Sequence, residues 1–178
     1  MRKTLSSTLA ALALSIASAA AQEPIGDWLV NDKVATIRIE NCGGKLWGVV
    51  AWEKAPGVDA NNPDPAKRRR PTLGMPVLLA MQPTDGKQWE GNVYNSRDGK
   101  TYSVTISLSS PNVLRIEGCL LGFLCGGENW TRVKADVQTS APKTGKPGSG
   151  ADANAPKSIC PSVAADANGS MSGSKQRR

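Results

Sequence analysis

The stretch from Glu53 to Met75 gathers the polar side chains best suited to chemistry. Asp59, Asn61, Asn62 and Asp64 precede the run Lys67-Arg68-Arg69-Arg70. Arg68 and Arg70, two residues apart, would point the same way in an extended segment and could hold a carboxylate or phosphate between them. The competing expectation is that Asp64 pairs with one arginine and only orders the loop. Asp59-x-Asn61 does not open a calcium loop. Pro63 takes the fifth position, no glycine follows, and Arg70 stands where a bidentate glutamate is needed. Glu53, Asp64 and Glu128 are available for acid–base work, but no spacing makes a dedicated pair of any two. The chain has no His, which excludes Ser-His-Asp and Cys-His nucleophiles, His-ligated metals and a His-based pH switch. Its four Cys include no Cys-x-x-Cys pair, so no metal site is expected. No catalytic residue and no cofactor is expected either.

These residues must be positioned by a segment shorter than the 178-residue chain. Arg2 and Lys3 precede an uncharged stretch, Leu5 to Ala21, that closes on Ala19-Ala20-Ala21. This pattern predicts a secretory signal peptide over 1–21 and an exported, periplasmic or secreted protein. No later run is long and apolar enough to span a bilayer. From 135 to 178 the only sizeable apolar side chains are Val137, Ile159, Val163 and Met171. That composition predicts a disordered, basic tail, whose Lys175-Gln176-Arg177-Arg178 end could touch an anionic envelope surface. The formal charge of +7 sits mostly outside 22–134, where basic and acidic residues nearly balance. A domain so close to neutral lacks the footprint of a nucleic-acid binder.

Residues 22–134 alternate with period two. Thr101 to Leu108 alternates hydroxyl with apolar residues, Val34 to Glu40 sets Ile37 and Ile39 against Arg38 and Glu40, and Val113 to Glu117 repeats the pattern. Asn31-Asp32, Cys42-Gly43-Gly44, Asp85-Gly86, Asp98-Gly99 and Pro111-Asn112 supply turn chemistry between the runs. The implied strands are 26–30, 34–41, 45–53, 77–81, 88–95, 100–109, 112–118 and 128–134. They predict an all-β, antiparallel up-and-down barrel of about eight strands, because closure removes exposed edges; an open sandwich is the alternative. In a closed meander the first and last strands are neighbours, so Arg132 could lie over the ring of Trp28, with Gly26 letting the backbone pass close by.

Gly26-x-Trp28 with a late Arg132 resembles the lipocalin and calycin signature. A longer ordered series resembles domain-of-unknown-function family 2147, small exported bacterial proteins. It runs through Ile37-Arg38-Ile39, Cys42-Gly43-Gly44-Lys45-Leu46, Gly48-Val49-Val50-Ala51-Trp52, Asn62-Pro63-Asp64-Pro65, Arg68-x-Arg70-Pro71 and Leu73-Gly74-Met75-Pro76. It continues through Gly91-Asn92-Val93-Tyr94, Asp98-Gly99-Lys100-Thr101-Tyr102, Leu114 to Cys119 and Trp130-Thr131-Arg132. The resemblance implies a lipocalin-like barrel in the envelope or secreted, and no established activity. Members often carry a second Cys where this chain has Trp47, so a disulfide through that position is absent here. Among the remaining pairings, Cys119 with Cys125 would close a short loop. Cys42 pairing with either is the alternative, and Cys160 could tether the tail to Cys42 or stay free.

Together these features predict a non-enzymatic binder or carrier of a small apolar or amphipathic molecule. Trp52, Tyr94, Tyr102, Val104 and Ile106 are the candidate lining, Arg68 and Arg70 a candidate polar contact, and 54–76 the candidate lid. The alternative is a solid barrel that binds a protein partner or an anionic surface through its basic loop and tail. Oligomeric state is not encoded in any feature of the sequence.

Overall fold

The computed structural model describes residues 23–84, 87–120, 124–133 and 158–172. The candidate signal peptide lies outside them. Eight strands follow one another: β1 (Gly26–Leu29), β2 (Ala35–Cys42), β3 (Lys45–Glu53), β4 (Pro76–Thr84), β5 (Gln88–Asn95), β6 (Lys100–Ser110), β7 (Val113–Leu120) and β8 (Leu124–Arg132). Each pairs antiparallel with the next, and β8 returns to β1, closing the barrel. The closing register sets Trp28 opposite Arg132.

Alternation decides what lies inside. Trp28, Ile37, Ile39, Leu46, Leu78, Met81, Ile106 and Leu114 face inward and, with Val104, Ile116 and Trp130, make one buried cluster. Val104 and Ile106 therefore serve as packing. The close fit shows at Gly91, where an added Cβ would run into Met81 and the backbone of Leu79; an inward side chain there would displace the core.

One of several register irregularities sets what faces the open end. Between β2 and β3, Ile37 pairs with Val50 but Thr36 pairs with Trp52. Ala51 is thus an extra residue, and the strand changes face past it, as a β-bulge requires. Val50 points in, Trp52 turns out and is 48% exposed, and Glu53, opposite Ala35, turns in.

The long β3–β4 connection is ordered. Val58 bridges to Pro71, and Pro65–Lys67 form a single turn of 3-10 helix. The Asn62-Pro63-Asp64-Pro65 motif builds that turn. Asn62 Oδ1 accepts from the Asp64 N–H at 2.9 Å, and Asp64 Oδ1 caps the helix through the Ala66 N–H at 3.0 Å. Asp64 is therefore spent on backbone donors, and Asp59 takes the arginine.

The tail departs from the sequence expectation. Within 135–178, the described residues form a helix, α1 (Cys160–Ser172). A 13-residue helix is marginal alone, and composition gives it little to bury. Two things hold it. Cys160 is disulfide-bonded to Cys42, and Ile159 and Val163 pack on Val49, Trp47 and Cys42. Glu40 Oε2 accepts from Ser158 Oγ at 2.8 Å and from the Ile159 N–H at 3.1 Å, which orients the helix start. Trp47 and Val49, outward on β3, are therefore covered by the tail. The other residues of 135–178 lie outside those described.

Candidate functional site

One end of the barrel is sealed. The Arg132 guanidinium lies 4.1 Å above the Trp28 ring. Its Nη1 donates to the Ile25 carbonyl at 2.7 Å and its Nε to the Pro111 carbonyl at 2.8 Å. Burial pulls this guanidinium below its ordinary pKa. Trp28 Nε1 donates to the Pro24 carbonyl at 2.8 Å. Gly26 has φ +124, and a Cβ there would meet Arg132 Nη1 at 2.9 Å, so only glycine lets the arginine pass.

The opposite end opens into a cavity of about 780 Å³, within the usual size for small-molecule sites. Ile37, Val50, Val77, Val93 and Trp130 line its base. Asp32, Glu53, Lys54, Arg97 and Glu128 are the charged residues of its wall. Arg97 donates to Asp32 at 3.0 Å, linking the β5–β6 turn to the β1–β2 turn across the mouth. Trp130 Nε1 donates to Glu128 Oε1 at 2.5 Å. Glu53 Oε2 accepts from Thr72 Oγ1 at 2.7 Å.

The β3–β4 loop forms one side of the mouth and is locked by a buried network. Asp59, with no exposed surface, accepts from the Tyr94 hydroxyl at 2.6 Å, from Asn62 Nδ2 at 2.6 Å and from Arg70 Nε at 3.0 Å. Asn62 Nδ2 also lies 3.1 Å from the Tyr94 hydroxyl. The Arg70 guanidinium sits 5.8 Å from the Tyr94 ring centroid, and its Nη1 reaches Asp166 of α1 at 3.1 Å. Lys67 Nζ approaches the same carboxylate at 3.6 Å. Burial first, then the hydrogen bond to Asp59, push the Tyr94 hydroxyl up to about 12. Beside the network, Asn61 Nδ2 donates to the Arg97 carbonyl at 2.9 Å, and at Gly99 a Cβ would overlap the Asn61 carbonyl. The loop is thus seated on the β5–β6 turn.

The family described as "Uncharacterized protein conserved in bacteria" (DUF2147) matches residues 26–132, the whole span from β1 to β8. The chain belongs to this family. No curated protein sequence matches it. Among solved structures, the DUF2147 barrel is similar to one described as "Protein HP1028 from the human pathogen Helicobacter pylori belongs to the lipocalin family". The identity is 21% and the TM-score 0.59, over 65% of this chain and 86% of that one. The likeness carries the fold, a lipocalin-like barrel.

Sequence-chosen residues divide in this frame. Gly26, Trp28 and Arg132 meet at the sealed end. Tyr94 contributes to the cavity wall, but its hydroxyl is committed beneath the loop. Trp52 is turned outward by the Ala51 bulge. Tyr102 is outside the lining, and its hydroxyl donates to Asp98 in the adjacent turn, which raises the tyrosine pKa and lowers that of the aspartate. Arg68 and Arg70 do not share an extended segment. Arg68 caps the 3-10 turn in a helical conformation with Nε on the Asn62 carbonyl at 2.8 Å, while Arg70 faces Asp59 and Asp166. Cys119 stands opposite Cys125 in the β7–β8 register, and Cys125 is disulfide-bonded. Asp59 and Glu53 are the residues that sequence reasoning undervalued. The only signal for Glu53 was an acid closing an otherwise apolar strand.

Proposed function

We propose that the protein is a non-enzymatic binder or carrier of a small amphipathic molecule, held in the open end of the barrel. The observation that carries this reading is the cavity of about 780 Å³, with an apolar base above a sealed floor and charged groups at its rim. A molecule entering it would lay its apolar part on Val50, Val77, Val93 and Trp130 and keep its polar part near the turns. The leader pattern over 1–21 and the Cys42–Cys160 disulfide support an exported protein in an oxidising compartment. The basic loop is a weaker candidate for an interaction surface, because Lys67 and Arg70 already face Asp166.

Native mass spectrometry of protein purified from its own compartment tests the reading. A co-purified lipid-like mass, lost when Val93→Trp fills the base of the cavity, is the expected result. A clean apo mass, with no response to apolar fluorescent probes in the unmodified protein, would overturn it.

A further inference from the structure

Glu53 is the residue of the cavity whose bonding is incomplete. Its Oε1 is sealed from solvent and has no hydrogen-bond partner among the described residues. The other oxygen is held by Thr72 Oγ1. Thr72 has no second proton to give, and its oxygen accepts from the Gly57 N–H at 3.2 Å. No Lys or Arg among the described residues makes an ion pair with Glu53. A buried carboxylate oxygen without a donor is costly to the fold, and the cost is recovered by whatever supplies the donor.

The rest of the wall points the same way. Asp32 and Arg97 neutralise each other. Glu128 is on the same wall, with one oxygen on Trp130. That leaves two carboxylates, the half-buried Glu53 and the exposed Glu128, against the exposed Lys54. An anionic headgroup would meet both acids, whereas a cation would meet complementary charge above an apolar base.

We infer that the cavity takes an amphipathic amine, its ammonium group donating to Glu53 and its hydrocarbon part lying on Val50, Val77 and Val93. The terminal carboxylate torsion of glutamate is soft, so a small rotation offers Oε1 to an ammonium within the cavity. Glu53 becomes the specificity-determining residue, and the bulge at Ala51 is what aims it inward. The inference rests on the carrier reading above and names its ligand class.

Three probes of one chain length separate the two: decylamine, decanol and decanoate, below their aggregation limits at neutral pH, titrated into the full oxidised chain with Trp fluorescence as readout. Decylamine is expected to bind about tenfold more tightly than decanoate or decanol, the value of one charged hydrogen bond. Glu53→Gln should remove that preference while leaving decanol affinity within about twofold. Equal binding of all three probes would overturn the amine inference and leave the carrier reading standing. A Glu53→Gln effect of equal size on all three would also overturn it, because Glu53 would then act only by shaping the wall. Failure of all three to bind, with no change on Val93→Trp, would bring down the carrier reading and this inference with it.

Discussion

At the scale of single residues, the loop depends on Asp59. It is the most buried polar residue of the mouth and satisfies three donors from three parts of the chain. Tyr94→Phe removes one donor and leaves Asp59 Oδ1 without it, at a cost of about 1–3 kcal/mol. Chemical denaturation should report that loss while cavity volume, and hence probe binding, changes little. The same pair gives a pH signature. The Tyr94 hydroxyl titrates near 10 in an unfolded chain and about 12 in the fold. Folding therefore retains a proton that the unfolded chain releases between those values. The contribution is fully present below pH 10 and falls by about 1.4 kcal/mol per pH unit as pH rises toward 12. Tyr94→Phe should flatten that part of the stability curve. Little of this was legible in sequence. Asp59 and Tyr94 are 35 positions apart, and the local pattern singled out Asp64, which spends its carboxylate on its own helix cap. Arg132 over Trp28 was legible, because strand order alone makes the first and last strands neighbours.

At the scale of elements, period-two alternation located the strands, since each has one face in a packed interior. It failed where an inserted residue inverts parity, at Ala51 in β3 and again between Leu79 and Gln82 in β4. Val50-Ala51-Trp52 reads as continuous alternation, but the bulge places Trp52 outside and Glu53 inside. Trp52→Ala should therefore leave ligand affinity unchanged within about twofold, as surface substitutions away from special features usually do. Deleting Ala51 should remove the bulge without inverting either side chain, because Trp52 still falls opposite Thr36 and Glu53 opposite Ala35. Acrylamide quenching reads this directly, as the most accessible Trp of the parent should stay accessible in the deletion variant. The helix α1 was illegible for a different reason. Among the described residues, Ile159 and Val163 provide its buried apolar contact, one turn apart, and no amphipathic stripe marks it. Its order comes from a covalent bond and from a partner face on β3.

At the scale of the whole molecule, α1 connects the two ends of the barrel. Its start is fixed beside Cys42, at the sealed end, and Asp166 reaches Lys67 and Arg70 in the loop at the open end. Cys160→Ser should release the helix and uncover Trp47 and Val49. A disulfide across so long a loop stabilises by about 3–5 kcal/mol, chiefly by restricting the unfolded chain in the entropic account. The denaturant midpoint should drop accordingly, and binding of an apolar dye should rise. Reductant should reproduce both effects in the parent chain; in the variant, where the Cys125 disulfide is still open to reduction, it should leave the dye signal unchanged.

The Cys42–Cys160 bond also changes what a broken backbone means for this protein. Its sequence separation is 118 residues, and the β3–β4 loop and the β5–β6 turn of the open end fall inside the ring it closes. A protease that cuts the exposed loop near Arg68 or Arg69 therefore yields two pieces that stay covalently joined, with the strands on either side still paired. A nicked molecule would run as one species on a non-reducing gel and as two on a reducing one. The binding end can be clipped without the protein coming apart.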